Sequence, residues 1–376
     1  MKLQPPCVTV SRSWSAFPGV IMAEISDFKA IEGLFCSAGP DMDVVVSSRI
    51  RLARNIVDYP FPSKLKAQDE EKLRDEVIQA LTDLDLNFTI LHLDNLSRTD
   101  RQILLEENLI TSKLVEAKNK AIALNDHSFI VVMINAEDHL RLAAMQSGLA
   151  LTESYHAVNQ IDNQLEKHLQ FAATYEWGYL NTSFSDLGTG MRASVLLHLP
   201  GLIADSTIDE AVSTGLELGL KVKSYAGAGE VSLGGMYQFS NAASLGISEV
   251  EIIDSLEMMV LEIVDFERQS RQNMLNTGRI EIEDRIFRAL GVLKHCRRIS
   301  AVEAIELLSQ IRLGISLGLI NNLGIEKLTA LLYLCQSAHI KKILDTMDDG
   351  ADNNLVDYSR AEIIRDALED KQCLKG

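Results

Sequence analysis

The sequence predicts an α+β fold followed by a helical region. Apolar residues recur at helical spacing in residues 66–84 and 155–173, whereas residues 88–93, 128–135 and 193–199 have the composition of strands. Because these helices and strands are mixed rather than strictly alternating, the pattern favours an α+β arrangement over a doubly wound sheet.

Beyond residue 247 the strand patterns stop and only helical spacing continues. It marks five segments, at 249–275, 281–296, 301–319, 325–346 and 359–370. Ser300 and Glu303 form a capping-box pattern at the start of the third segment. The polar run over residues 348–354 is typical of a linker.

These patterns divide the chain into three predicted units. Residues 1–25 form a disordered extension, within which Met22 is a candidate start. Residues 26–247 form the mixed unit of helices and strands, and residues 248–376 form a helical C-terminal domain. With 376 residues, of which 47% are hydrophobic, the chain can build a core for each of the two larger units.

The composition excludes some classes of function. A net charge of -17 argues against sequence-independent binding of nucleic acid, which depends on neutralising many phosphates. No apolar run approaches the roughly 20 residues that span a bilayer, and the apolar patch over residues 14–22, interrupted by Pro18, is a poor signal peptide. The five scattered cysteines have no metal-ligand spacing, so we expect reduced thiols in a cytoplasmic protein.

Against this acidic background, three arginines occur within residues 47–55, in the run SSRIRLARN. Arg49 and Arg51 are two residues apart, so on an extended segment their side chains leave on the same face and can grip neighbouring phosphate oxygens. A local cluster of this kind can bind ATP although the whole chain is acidic. A solvated basic turn is the alternative interpretation.

Three further motifs follow at residues 135–141 (NAEDHLR), 186–195 (DLGTGMRASV) and 227–230 (GAGE). Together with SSRIRLARN, their order and spacing resemble the guanidino phosphotransferases, and most closely the bacterial McsB-type protein-arginine kinases. Only some forty residues precede the first motif, too few for the helical N-terminal domain of phosphagen kinases. Residues 279–285 and 311–320 also resemble the McsB pattern, and the resemblance covers roughly residues 40–345.

The resemblance implies a catalytic domain built on an antiparallel sheet flanked by helices, and transfer of the γ-phosphoryl group of ATP, with Mg²⁺, to a guanidinium nitrogen. Glu137 and Glu230 would orient the acceptor and take its proton; a solvated loop charge and a turn residue are their alternative interpretations. We expect His139 to be structural. The residues implied beside the nucleotide are Ser47, Ser48, Arg49, Ile50, Arg51, Asn108, Arg141, Arg192, Ala193, Ser194, Val195, Leu196, Tyr225 and Gly229.

The sequence departs from the family pattern on both sides of the expected site. Ser183 replaces a reactive cysteine on the acceptor side, and Ala136 replaces the first acid of NEEDH. Asn108 stands for a histidine near the nucleotide. Tyr225 stands for an arginine that would contact the transferring phosphoryl group. Lys223 has strand spacing from Tyr225 and offers a replacement charge; a solvated lysine is the alternative.

Three functions remain open at this point. The first is a protein-arginine kinase that acts on exposed arginines of protein substrates, with a zinc-finger activator protein and a Clp-type protease as partners, and with a homodimer as a possible assembly. The second is a pseudokinase that keeps the fold as a binding module, and the third is a phosphagen kinase for small guanidines. The family's phosphoarginine-sensing motif aligns with residues 361–366, where its first arginine is missing.

Overall fold

The computed structural model describes residues 38–84, 86–125, 129–225, 232–344 and 352–369. The predicted extension over residues 1–25, together with Met22, Gly229 and Glu230, lies outside them. The described strands are β1 (Val45–Arg54), β2 (Phe88–His92), β3 (Ala121–Asn125), β4 (Ile130–Ile134), β5 (Leu140–Ser147), β6 (Ala173–Thr174), β7 (Gly178–Tyr179), β8 (Met191–His198), β9 (Leu220–Ser224) and β10 (Met236–Asn241).

The described α-helices precede, interrupt and follow these strands. They are α1 (Ala67–Thr82), α2 (Arg98–Glu106), α3 (Ser112–Val115), α4 (Leu151–Leu165), α5 (Pro200–Ala204), α6 (Ile208–Glu217), α7 (Glu249–His295), α8 (Ala301–Ser316), α9 (Ile325–Leu334), α10 (Ser337–Ile343) and α11 (Asn353–Glu369).

Eight strands form one antiparallel sheet in the order β2-β3-β4-β5-β1-β8-β10-β9. The arginine-rich β1 lies in its middle, between β5 and β8. β6 and β7 form a separate small hairpin. The predicted α+β class, with an antiparallel sheet flanked by helices and a helical C-terminal region, is therefore confirmed.

The central strand separates two faces because successive side chains of a strand point to opposite sides. Ile50 and Leu52 point to the face covered by α1, α4 and the first half of α7, where the largest apolar cluster forms. From Ser47 onward the odd-numbered residues of β1, including Arg49 and Arg51, point to the other face.

That other face is covered only at its margins. α2 and α3 pack on β3 and β4 in a cluster that contains Leu104 and Ile122. The C-terminal helices pack near Val46, Met145 and Leu196 in a second cluster. Between the two clusters the middle of the sheet stays open as a cleft.

The long helix α7 joins the two parts of the chain. Its first half packs in the main sheet cluster, whereas Ile286 and Leu293 belong to the C-terminal cluster. Sequence spacing predicted two helices here, with a break after residue 275. The structure has one continuous helix with a kink at Gly278, whose backbone angles are not helical (φ -149°, ψ 45°). The kink lies close to the predicted break, but the helix does not end there. The predicted domain division at residues 247 and 248 stays a prediction.

Two other helix predictions differ from the structure. The segment 325–346 contains two helices, because α9 ends at Leu334 and α10 begins at Ser337. The segment 155–173 is helical only to Leu165, since Phe171 forms a β-bridge with Ile56. Both were continuous apolar patterns, and helical spacing alone does not mark where tertiary pairing ends a helix.

Candidate active site

The open cleft has a volume of about 750 Å³, and its walls carry four of the five arginines of the separate motifs. Arg49 and Arg51 come from β1, Arg141 from β5 and Arg192 from β8. The strand register brings them together, because Arg51 lies opposite Arg192 and Ala53 lies opposite Arg141. Four guanidiniums from distant parts of the sequence thus surround one space.

This arrangement places like charges close together. Burial, and after it the neighbouring Arg141, lower the pKa of Arg49 to about 10. The pKa of Arg51 is lowered well below its usual value by burial, then by Arg49, Arg141 and Arg192. Within the described residues Arg51 Nε is buried without a hydrogen-bond partner. An unpaired cation among cations is costly, so this geometry favours the binding of an anion.

The other two arginines are oriented by carboxylates. Arg141 Nη1 lies 3.0 Å from Glu137 Oε2, and its Nη2 lies 3.8 Å from Asp186 Oδ2. Arg192 Nη2 lies 3.1 Å from Asp186 Oδ1 and 3.2 Å from Ser185 Oγ. These contacts fix two guanidiniums on one side of the cleft and leave Arg49 and Arg51 on its floor.

Glu137 lines the cleft with a side chain that is 21% exposed. Its ion pair with Arg141 leaves it accessible from the cleft, which suits a group that contacts a bound guanidinium. The expected partner Glu230 lies outside the described residues, so the distance between the two carboxylates is a prediction. Gly229 lies in the same segment.

His139 is a structural residue, in agreement with the sequence. Its buried Nδ1 accepts a hydrogen bond from the Ile56 N–H at 3.0 Å, which leaves Nε2 to donate to the Pro60 carbonyl at 3.0 Å. Burial lowers the pKa of His139, so the ring is held neutral with both nitrogens engaged. Neither nitrogen is free for proton transfer.

Sequence reasoning did not single out Asp138 and Asp186, although both lie within quoted motifs. Asp138 is buried and accepts hydrogen bonds from Asn55 Nδ2 at 2.9 Å and from the Thr182 N–H at 2.8 Å. It therefore joins three segments that form the cleft wall. Nothing in a single sequence distinguishes such a residue from a neighbouring acid that faces the ligand.

Some of the residues implied beside the nucleotide point away from the cleft. Ile50, Ala193 and Val195 lie in the main apolar cluster. The buried Ser48 Oγ donates to the Gly148 carbonyl at 2.7 Å and accepts from the Ala150 N–H at 3.0 Å. Their side chains are engaged in the fold, and only their backbone could approach a ligand.

A second chamber of about 410 Å³ continues the cleft beyond Arg49. Asn108, Lys223 and Gln238 line both spaces. The second chamber has a mixed apolar and polar lining, to which the predicted residues Ser47, Ser194, Leu196 and Tyr225 contribute, with Met145 and Tyr333.

The departures from the family pattern lie along these two spaces. Ser183 is exposed at the cleft, with its Oγ 2.9 Å from Ser185 Oγ. Asn108 and Tyr225 hydrogen-bond to each other, and burial raises the pKa of the Tyr225 phenol. Lys223 is exposed and lines the cleft beside Arg49, whereas Tyr225 supplies only a neutral side chain.

The region aligned with the phosphoarginine-sensing motif uses its arginines internally. Arg360 is 1% exposed and donates to the carbonyls of Cys335 and Ile299 at 2.6 and 2.8 Å. Arg365 donates to the carbonyl of Cys296. Arg360, the arginine beside the missing position, is therefore committed to holding the helices together.

Comparison with known proteins agrees with this geometry. Residues 69–270 match the model of the ATP:guanido phosphotransferase C-terminal catalytic domain. Residues 279–375 match that of the protein-arginine kinase McsB C-terminal domain. A protein-arginine kinase from Halothermothrix orenii is 36% identical, over 88% of this chain and 94% of that protein. One from Clostridium novyi is 38% identical, over 87% of this chain and 95% of that protein.

Solved structures show the same fold. A duplicated taurocyamine kinase from Schistosoma mansoni, with bound transition-state-analogue components, is similar with a TM-score of 0.56 at 23% identity. The similarity covers 72% of this chain but only 42% of that one. Lombricine kinase has a TM-score of 0.53 at 24% identity, covering 70% of this chain and 78% of its own.

An antiparallel sheet with a cleft of converging arginines, matched by the catalytic-domain model, defines an enzyme of the ATP:guanido phosphotransferase class. Within that class, the C-terminal match and the curated relatives show that the chain belongs to the protein-arginine kinase family. They favour the kinase over the pseudokinase and the phosphagen kinase. Among the described helices, none is long and apolar enough to cross a bilayer.

Proposed function

We propose that this protein transfers the γ-phosphoryl group of ATP to the guanidinium group of arginine side chains in proteins. The observation that carries the proposal is the cleft floor, where Arg49 and Arg51 lie among other arginines and form no ion pair with a carboxylate of the described residues. A triphosphate supplies the missing negative charge. Family membership supports arginine as the acceptor.

The phosphates would bind across the four arginines. Phosphoryl transfer passes through a loose transition state whose charge is spread over the equatorial oxygens, so positioning and charge stabilisation provide most of the catalysis. Arg49 and Arg51 would neutralise the phosphates from the floor. Arg141 and Arg192, oriented by Glu137 and Asp186, would hold them from the side.

Mg²⁺ would bind together with the nucleotide and would help to neutralise the charge of its phosphates. Within the described residues there is no group of three or more His, Cys, Asp or Glu side chains that could hold a metal ion. This fits Mg²⁺, which usually keeps several waters and binds through substrate phosphates and few protein carboxylates. Asp186, which lies 3.1 Å from Arg192 and 3.8 Å from Arg141, is a cleft carboxylate that could hold the ion beside the phosphates.

The second chamber suits the nucleoside. It adjoins Arg49, and its lining combines apolar side chains such as Leu196 and Met145 with the amides of Asn108 and Gln238. Apolar surfaces favour a planar base, and amides provide donors and acceptors for its edge. A phosphate chain on the arginines would thus lead directly into this chamber.

The acceptor guanidinium would lie near Glu137 and Ser183. In the reaction the bond between the γ-phosphorus and the bridging oxygen of ADP breaks, and a nitrogen–phosphorus bond forms. The nitrogen's proton passes to a carboxylate, for which Glu137 is the described candidate and Glu230 the expected partner. Ser183 offers a hydroxyl but no thiolate, so the acceptor loses one negative contact.

The proposal extends to a cytoplasmic location, a zinc-finger activator, a Clp-type protease and a homodimer. Each of these rests on the resemblance to the family. Arginine-bearing proteins are the substrate class.

Glu137→Gln tests the acceptor role. The amide keeps a hydrogen-bond acceptor for Arg141 but cannot take a proton, so transfer should fall about 10²–10⁴-fold while ATP affinity changes less than about threefold. Acid-labile phosphate on a protein substrate and ATP titration calorimetry measure the two quantities on one preparation.

The matched control is Glu116→Gln. Glu116 forms an exposed pair with Arg98 at 2.9 Å, outside the cleft lining, so both quantities should stay at the wild-type level. Equal loss of transfer and ATP binding in Glu137→Gln would indicate a structural role for Glu137. A wild-type protein that neither binds ATP nor transfers phosphate would contradict the proposed function itself.

A further inference from the structure

The C-terminal helical region reaches the second chamber. Tyr333, near the end of α9, and Gln336, between α9 and α10, line it together with Arg49 and Leu196 of the sheet. Tyr333 lies close enough to Arg49 to oppose the lowering of its pKa. One wall of a space in the catalytic sheet is therefore built from residues that the C-terminal family model covers.

This wall is anchored to α2 by a cluster of charges. Glu106 accepts hydrogen bonds from the Ala338 N–H at 2.9 Å and binds His339 Nδ1 at 2.9 Å. Glu107 binds His339 Nε2 at 3.1 Å, and Lys342 lies 3.0 Å from Asp100. The first residues of α10 are thereby fixed against the C-terminal end of α2.

The same turn is fixed from its other side by Arg360 of α11. Its Nε donates to the Cys335 carbonyl at 2.6 Å and its Nη2 to Ser337 Oγ at 3.2 Å. Gln336 lies between these two anchored residues and stays half-buried. Its Nε2 is 3.5 Å from the Glu106 carbonyl, and within the described residues its Oε1 accepts no hydrogen bond. Hydrogen bonds thus hold the residues on both sides of Gln336, while its amide oxygen faces the chamber without a partner among the described residues.

We propose that the C-terminal helical region completes the nucleotide site, with Gln336 and Tyr333 contacting the nucleoside part of ATP. The inference rests on the proposed function and adds a second domain to its binding site. A glutamine amide can pair with a base edge, and a tyrosine ring supplies a flat apolar surface with a polar tip. Docking of α10 on α2 then positions part of the ligand's contact surface.

The inference has a consequence for the two-part architecture. The end of α2 leads to Asn108, which lines the chamber and bonds to Tyr225. Movement of α10 away from Glu106 would withdraw Gln336 from the chamber and release the segment that ends in Asn108. The affinity for ATP should therefore depend on the docking of the C-terminal helices against α2. This dependence acts through contacts with the nucleoside and not with the phosphates.

The test compares ATP with inorganic tripolyphosphate, which lacks the nucleoside. Gln336→Trp introduces a bulky ring into the chamber and should weaken ATP binding at least tenfold, while tripolyphosphate binding stays within about twofold of wild type. Gln336→Ala removes only the amide and should weaken ATP binding about two- to tenfold, as expected for one hydrogen bond. Arg51→Met should weaken both ligands.

Asn322→Ala is the matched control, because it removes an exposed amide from the same helical region outside the chamber. It should leave both affinities unchanged. Thermal melting checks that each variant folds; if Gln336→Trp fails to fold, the Ala variant decides the question. The inference is overturned if both Gln336 variants bind ATP like wild type, or if they lose ATP and tripolyphosphate equally. A wild-type protein that binds neither ligand overturns the proposed function as well.

Discussion

Arg51 and Arg54 belong to the same strand but have opposite environments. Arg54 points to the helix-covered face, where its Nη2 lies 2.7 Å from Asp162 Oδ2 and its guanidinium carbon lies 3.6 Å from the centre of the Tyr179 ring. Arg51 points to the cleft, surrounded by other arginines. Three positions along β1 thus separate a cation paired by the protein from a cation left for a ligand.

Other arginines fall into the same two groups. Arg271 is buried against Glu267 at 2.6 Å and also donates to the His198 carbonyl, while Arg360 donates to carbonyls of its own domain. Arg49 resembles Arg51. Burial by itself therefore does not indicate a binding site. Burial among other guanidiniums at an open cleft does, because without an anion the protein bears an uncompensated desolvation cost.

The largest expected effect is a loss of kinase activity on substitution of Arg51, which points to the cleft, without the loss of stability expected for Arg54. Arg51→Met should lower arginine phosphorylation about 10³–10⁵-fold, because it removes a charge that stabilises the transferring phosphoryl group. The free energy of unfolding should stay the same or rise slightly, since the substitution relieves repulsion among cations. Initial rates and urea unfolding measure the two effects. If Arg51→Met lost as much stability as an Arg54 variant, the proposed difference between the two arginines would be wrong.

Arg54→Met should have the reverse profile. It leaves the buried Asp162 without its partner, and burial already raises the pKa of that carboxyl. The free energy of unfolding should fall by about 3–5 kcal/mol. Adding Asp162→Asn should recover part of the loss, because the orphaned charge is removed; urea unfolding of the single and double variants tests this. Full stability in Arg54→Met would show that the pair is dispensable.

His339 is a paired cation whose contribution should depend on pH. Burial by itself would lower its pKa, but the hydrogen bonds that its ring donates to Glu106 and Glu107 outweigh burial and raise the pKa to about 9. A raised pKa gives stability that is complete below about pH 6.5 and is lost as the pH rises through 9, with a size of roughly 3 kcal/mol.

The pH dependence is measured by urea unfolding of wild type and His339→Gln at pH 6 and pH 10. The variant should be much less stable than wild type at pH 6, and the difference should shrink at pH 10. A difference that stays constant across this range would mean that His339 contributes through packing and not through its charge.

The smallest expected effect is a change in ATP affinity on substitution of Lys223 or Tyr225. Lys223 lines the cleft, whereas Tyr225 is bonded to Asn108, so Lys223→Ala should lower ATP affinity about ten- to a hundredfold and Tyr225→Arg should add little. Lys221→Ala, on the same strand but outside the cleft lining, is the control. A clear gain from Tyr225→Arg together with no loss from Lys223→Ala would assign the weakened contact to Tyr225.

Much of the cleft could be anticipated from the sequence, because it depends on local pattern. The two-residue spacing of Arg49 and Arg51 fixes their common face once the segment is extended. The motifs around Arg141 and Arg192 indicated that they would join that face. The contact between Asn108 and Tyr225 could not be anticipated in this way, since 117 positions separate them and neither residue type requires the other.

The sequence by itself determined the α+β class, the helical C-terminal region and the motifs that form the arginine cleft, because alternation, helical spacing and charge clustering are local properties. Tertiary structure alone decided which arginines are paired. Arg54 pairs with Asp162 of a distant helix, while Arg51 lies opposite Arg192 on the adjacent strand. It also brought Tyr333 and Gln336 to the sheet. Contacts between side chains that are distant in sequence depend on how the helices and strands pack, and the local spacing of residues does not predict them.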